Sequence, residues 1–444
     1  MRDMKLKISV VVGAVTAMAA LGGYFLLGAG VPPASAYSGS QAEAQMDRSD
    51  PYSFPNIDFC CKEHKHKKKW RKRPGYGGGG GGYNGGHYDD RDGGRETVRV
   101  SCGAPRSHSY SSISEGLAHL KEGGRILVHA DAPCDVSGLQ IDQGVLIETD
   151  YESYGRPAVL RGNACINVAP HYASSAVSFR NIEIEACVVL QYGQLNYNEV
   201  NQSSYGPGDG IRMDGGTFAA TDSTVRARGT AINAERGVMV SLTRGGFASA
   251  ARAEQTIFMN ADGANFQNTV VKGGVLGIRL GLQGRYPVSL TGVQVMRGDL
   301  SEIMQVGPGK GGIVVGGTSA GDGLPSLPSM PSATLTIDGG SVSGYADGIV
   351  FGPGTRNTVR GVVIVHPGRG IVASHGAVVD LSGNTISHSK LAGIELEAGA
   401  IGQARNNNIQ CDRGECVCYG GECTSRPDKV FNALFQMSGT RCDD

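Results

Sequence analysis

Three hydrophobic columns recur every 22 or 23 residues through the last third of this 444-residue chain. Ile337, Val359, Leu381 and Ala404 form one column, Val342, Ile364, Ile386 and Ile409 a second, and Ile349, Ile371 and Ile394 a third. Within a coil the columns are offset by 5 and then 7 residues, or 8 in the Ile386 coil, which leaves a short strand and a turn for each of three faces. Such a period predicts coils that bury their apolar sides only against their neighbours. The expected fold is all-β, a right-handed parallel β-helix built as a three-sheet solenoid.

The period continues toward the N-terminus. Phe179 and Ile184 keep the first offset, while Ala220, Val225 and Ile232, and then Phe266, Val271 and Ile278, keep both. Two stretches are expected as insertions on one side of the stack: a Tyr- and Asn-rich segment at 190–208 and a Pro/Ser/Gly segment at 317–333. The 69 glycines and the Val, Ile and Thr of the regular segments suit strands, and no long amphipathic helix follows residue 123. One helix is expected from Ser112 to Gly123. Ser112 and Glu115 make a capping box and Ile113, Leu117 and Leu120 share a face, so this helix is expected to cap the N-terminal end of the stack.

The N-terminus reads as an export signal. Arg2, Lys5 and Lys7 precede an uncharged, largely apolar run at 8–31, followed by Pro32, Pro33 and the triplet Ala34-Ser35-Ala36. Cleavage after Ala36 is favoured; an uncleaved 8–31 is long enough to anchor the chain in a membrane, which takes about 20 residues. Residues 37–95 form a basic, Gly-rich linker expected to be disordered: Lys62 to Arg73 holds eight basic residues and two histidines around one acid, and Gly77 to Gly82 is unbroken. It reads as a tether, or as an electrostatic attachment to acidic polysaccharide, lipid head groups or nucleic acid. His64, His66 and His87 are read as solvated, and adjacent Cys60-Cys61 suggests linkage between chains. The solenoid is expected over 96–410 and a Cys-rich cap over 411–444.

Eleven cysteines in an exported chain point to disulfides and to an extracytoplasmic location, secreted, periplasmic or at the cell surface. Cys165 and Cys187 are one coil apart and should stack within bridging distance. Cys102 and Cys134 bracket the expected helix. Cys411, Cys416, Cys418, Cys423 and Cys442 crowd the C-terminus as candidate disulfides; a zinc site from that run is the competing reading, and disulfides are preferred. The formal net charge of zero divides unevenly, with 27 Lys or Arg against 32 Asp or Glu beyond residue 95, which argues against a nucleic-acid-binding solenoid.

Segments such as Asp347-Gly348-Ile349-Val350-Phe351 and Gly393-Ile394-Glu395-Leu396 resemble the repeats of the pectate-lyase-like, right-handed parallel β-helix superfamily, over roughly residues 97–410. Asn384 and Asn407, equivalent on successive coils, look like the asparagine ladder that family stacks between its second and third sheets. The resemblance implies that the Gly-Ile face is the first sheet, where polysaccharide-acting members hold their substrate in a groove. A lyase would carry R-x-P-x-x-R beside an acidic calcium site, and a hydrolase the N-T-D, D-D, G-H-G and R-I-K set; neither is intact here. Asp209-Gly210-Ile211 and Ser374-His375-Gly376 match only fragments. Catalytic residues are therefore unassigned and no cofactor is identified, calcium entering only with a lyase.

Alternation along the Gly-Ile strands turns Arg212, Asn233, Arg279, Val314, Val350, Val372 and Glu395 outward. Early coils should expose charge and middle coils valine, covered by the 317–333 segment. The candidate substrate-binding residues are Asp209, Arg212, Asp214, Asn233, Glu235, Arg236 and Arg279, with Tyr192, Tyr197 and Tyr205, and also Asn196, Asn198 and Asn201, brought by the 190–208 stretch. Carboxylates in reach of one another divide acid and base roles, arginine steadies a uronate, and tyrosine and amide groups suit sugar rings. The expected partner is a polysaccharide or cell-envelope glycan, bound and, if an enzyme, cleaved or epimerised by a lyase, hydrolase or epimerase. The alternative is a structural or adhesive surface protein with a rigid solenoid.

Overall fold

The computed structural model describes residues 96–443 apart from 105, 154, 207, 236, 283–285, 299, 317–333, 413–415 and 427–434. The export signal, the basic linker, Arg236 and the 317–333 segment therefore lie outside the described residues. Strands come in sets of three per coil and collect into three long sheets. Sheet A has 14 strands, from Thr97–Val100 to Phe435–Ser438. Sheet B has 13, from Cys134–Asp135 to Arg441–Asp443, and sheet C, the Gly-Ile face, has 13 and ends at Glu422–Thr424. The pairing is parallel until the last two strands of sheet C, Val417–Tyr419 and Glu422–Thr424, which form an antiparallel hairpin. This is the expected all-β, three-sheet parallel solenoid.

The three columns read from the sequence are the three inward rows. Ile337, Val359, Leu381 and Ala404 are consecutive partners in sheet A. Val342, Ile364, Ile386 and Ile409 are partners in sheet B, and Ile349, Ile371 and Ile394 in sheet C. All are buried in one continuous core. The glycine before each sheet C isoleucine has a steric reason. A Cβ on Gly370 would lie 2.6 Å from Ile386 Cγ2, and one on Gly393 would lie 2.1 Å from Ile409 Cγ2, so the sheet B row already fills that space.

From Asn181 onward, each passage from sheet A to sheet B is a tight turn whose first residue has positive φ. Asp222 (50°), Arg244 (51°), Asn268 (49°) and Asn406 (53°) hold it at the cost of side-chain crowding, and Gly361 and Gly383 without it. The next residue points inward. There Asn384 Nδ2 donates to Asn407 Oδ1 at 2.9 Å and to the Val359 carbonyl at 3.1 Å, and the Val362 amide donates to Asn384 Oδ1 at 3.0 Å. The two asparagines thus form a buried ladder at the A–B corner, pairing backbone groups that a turn leaves open.

Two disulfides fall where the sequence places them. Cys165–Cys187 joins successive coils with a Cα separation of 4.4 Å, and Cys102–Cys134 spans 5.1 Å. Among the five C-terminal candidates, Cys418–Cys423 closes the antiparallel hairpin, whereas Cys411, Cys416 and Cys442 form no disulfide. A neighbouring Cys416 thiol and burial push the Cys411 thiol far up, which keeps it protonated. Three disulfides suit an oxidising, extracytoplasmic compartment.

Helix is sparse. Ile113–Ala118 begins at Ser112, whose Oγ accepts from the Glu115 amide at 3.1 Å, while Glu115 Oε2 accepts from the Ser111 amide at 2.9 Å. It is shorter than expected and packs Ile113 and Gly116 beside Val98, Val100 and Ile126. A seven-residue helix, Leu300–Val306, is the other α-helix among the described residues; two turns are too short to leave a clear apolar period, and no long amphipathic helix is expected beyond residue 123.

Candidate functional site

The largest correction concerns residues 190–208. They are a regular coil, with Gln194–Asn198 paired on both sides in sheet A and Asn201–Ser204 in sheet B. The inward sheet B position of this coil is Gln202, which is polar and hides the column. Its side chain is fully buried yet satisfied: Nε2 donates to the Ala186 and Gly210 carbonyls at 2.9 and 2.8 Å, and Oε1 accepts from Tyr197 Oη at 3.2 Å. Tyr197, expected on the ligand face, is therefore core. Its ring meets Phe179 and Phe218 edge-on at 5.8 and 5.2 Å, and burial pushes its hydroxyl pKa far above the usual phenol value.

The other two tyrosines are exposed. Tyr192, 42% exposed, follows the sheet C strand Val188–Leu190 on the edge toward sheet A, and Tyr205, 56% exposed, precedes the sheet C strand Ile211–Met213 on the edge toward sheet B. Between these edges lies the outward row of sheet C. Val189, Arg212, Asn233, Phe258, Arg279 and Val314 are consecutive partners along it. Phe258 escaped the sequence reading because its coil departs from the 22-residue period: Ile257 follows Ile232 by 25 residues and precedes Ile278 by 21.

Asp209 stands at the start of its strand and accepts from Asn233 Nδ2 at 2.7 Å and from the Thr230 amide at 3.0 Å. Asn233 Oδ1 is shielded and has no donor among the described residues. Arg212 Nη2 meets Asp214 Oδ2 at 3.2 Å, and Glu235 is exposed one coil on. Arg279 differs from its expected open position. It is only 5% exposed, stacks its guanidinium 5.6 Å from the Phe258 ring centre and meets Glu254 at 3.6 Å. Burial lowers its pKa, against the opposite pull of Glu254. The structure thus brings Asp209, Arg212, Asp214, Asn233 and Glu235 onto neighbouring coils and sets Arg279 apart as a packed residue. Asn196 and Asn198 lie in sheet A and Asn201 in sheet B, away from this strip.

Beyond Arg279 the same row changes character. Val314, Val350 and Val372 gather with Leu276 into a small buried apolar cluster on the outer side of sheet C. The segment expected to cover them, 317–333, is outside the described residues. On the late coils Arg369 forks Asp347 through two 2.7 Å bonds and reaches Glu395 at 3.3 Å, and the Asp347 pairing raises the guanidinium further above its usual value.

Cavities also lie off this strip. One of about 910 Å³ sits beside Arg99, Tyr110, His119 and His129 at the first strand. Its groups hold one another: Arg99 meets Glu152 at 2.9 Å and Asp150 at 3.5 Å, and Tyr110 stacks on His119 at 4.9 Å. Another, about 280 Å³, lies on sheet B and is lined by Glu183, Glu185, Asn201, Ser203, Tyr205, Thr224 and Arg226. Comparison of the chain with protein-family models, curated proteins and solved structures returns no match to any of the three.

Proposed function

We propose that the solenoid is an exported, envelope-associated glycan-binding protein whose polymer lies across the early coils of sheet C, against Asp209, Arg212, Asp214, Asn233 and Glu235. The observation that carries this reading is the pair of exposed tyrosines, Tyr192 and Tyr205, on opposite edges of one polar strip. Aromatic faces at the rims and alternating donors and acceptors between them match the two surfaces of a sugar ring. Export rests on the N-terminal signal and on the disulfides. The basic tract from Lys62 to Arg73 would hold the protein to acidic polymers of the envelope.

The test is a panel of acidic and neutral polysaccharides offered to the mature protein, with assay for new reducing or unsaturated ends and for inverted sugar stereochemistry in the intact polymer. Binding with turnover makes it a lyase, hydrolase or epimerase; binding without turnover makes it a module. Binding to no glycan rejects the proposal and leaves the second reading, a rigid structural or adhesive solenoid. What favours that reading is charge pairing between coils on the outer surface, as in Asp222–Arg244 at 2.7 Å and Asp347–Arg369 at 2.7 Å.

A further inference from the structure

We propose that sheet B carries a separate subsite for one neutral sugar unit, in the trough between Glu183 and Arg226 beside Tyr205. The trough follows from side-chain length on three neighbouring strands. Asn201 stands between Glu183 and Thr224, and Ser203 lies opposite Arg226. Short side chains on the middle strand thus sit between the glutamates of Ile182–Glu185 on one side and Arg226 on the other. Two strand spacings, about 9.5 Å, separate the outer strands, and the floor between them is polar. The open trough's volume of about 280 Å³ is at the small end for a ligand site and suits a single ring rather than a chain.

Its charges are uncommitted in a specific way. Glu185 is held by Arg161. The half-buried Glu183 carboxylate has neither an ion-pair nor a hydrogen-bond partner among the described residues, and Arg226 forms no ion pair there and leaves its shielded Nε without an acceptor. One free carboxylate and one free guanidinium face the same trough, so it is neutral overall and supplies an acceptor at one side and donors at the other. Thr224 donates to Asn201 Oδ1 at 2.8 Å, which leaves the Asn201 amide hydrogens free to donate to a ligand. The 56% exposed Tyr205 ring gives a flat apolar wall. An anionic unit would meet Glu183 and Glu185 at close range, and a cation Arg226; a polyhydroxylated neutral ring meets donors, acceptors and an aromatic face together.

This subsite rests on the glycan reading and is tested apart from it. Neutral gluco-, manno- and galacto-oligosaccharides and their uronate counterparts are titrated calorimetrically into the full chain and into Glu183→Gln, Arg226→Gln, Tyr205→Ala and Arg360→Ala variants, with thermal melts confirming that each folds. The expected result is a neutral oligosaccharide whose affinity falls about tenfold or more in the Glu183, Arg226 and Tyr205 variants, and less than threefold in Arg360→Ala, an exposed residue of sheet A away from both sites. Glycan binding that Glu183→Gln and Arg226→Gln leave unchanged overturns the subsite while the sheet C reading stands. Tighter binding of uronates, lost in Arg226→Gln, overturns its neutral specificity. Absence of binding to every probe overturns both.

Discussion

Asn384 donates its side-chain amide to Asn407 Oδ1 at 2.9 Å across one coil, and both residues are 1% exposed. The pair ties three coils together, because the Asn384 side chain also accepts from the Val362 amide and donates to the Val359 carbonyl. Replacing Asn384 by Ala leaves both backbone groups unpaired in the interior. The expected loss is about 2 to 4 kcal/mol, measured by urea unfolding, with Asn384→Asp also destabilising because a carboxylate cannot donate to Val359.

Gln202 and Tyr197 should be energetically coupled. Gln202→Leu removes the side-chain donor from the Ala186 carbonyl and the acceptor from the Tyr197 hydroxyl, while the Gly210 carbonyl keeps the Val188 amide, and is expected to cost about 2 to 3 kcal/mol. In the Gln202→Leu background, Tyr197→Phe removes a hydroxyl already without a partner. It should then cost less than in the wild type, by roughly 1 kcal/mol in a double-mutant cycle. Strict additivity would contradict the buried hydrogen bond.

Gly393→Ala should destabilise the late coils by about 1 to 3 kcal/mol, since the new methyl collides with Ile409 Cγ2. Ile409→Leu moves the branch one carbon outward and should recover part of that loss in the double variant. Melting temperatures of the four proteins decide the point. No recovery would mean that the backbone, and not the sheet B row, sets the glycine.

Arg212 and Arg279 share one outward row yet should behave oppositely. Arg212→Ala, at an exposed position, is expected to change stability by less than about 0.5 kcal/mol. Arg279→Ala removes packing on Phe258 as well as charge, and should lower the melting temperature measurably. Equal melting temperatures would count against a structural role for Arg279.

Cys165–Cys187 should be present in nonreducing peptide maps. Replacing both cysteines by Ser is expected to lower stability by about 3 kcal/mol, because the bond closes a loop of one coil in the unfolded chain. An unchanged urea midpoint under oxidising conditions would argue that the thiols remain reduced.

Periodic burial is a property a sequence displays directly. A coil can bury its apolar rows only against its neighbours, so Ile337 to Ala404, Val342 to Ile409 and Ile349 to Ile394 announce three sheets and their register. The one-coil spacing of Cys165 and Cys187 is legible for the same reason. What the sequence alone left undecided depends on partners distant in the chain. Gln202 reads as a surface residue until Tyr197 and two backbone carbonyls satisfy it in the interior, and that error misplaced a whole coil as a loop. Alternation shows which way Arg279 points, but only the neighbouring coil, through Phe258 and Glu254, determines that an outward guanidinium is covered. The trough on sheet B is likewise tertiary. Glu183, Asn201, Ser203 and Arg226 carry no shared motif, and they meet because parallel coils bring residues about one period apart to the same height, where side-chain length shapes the surface.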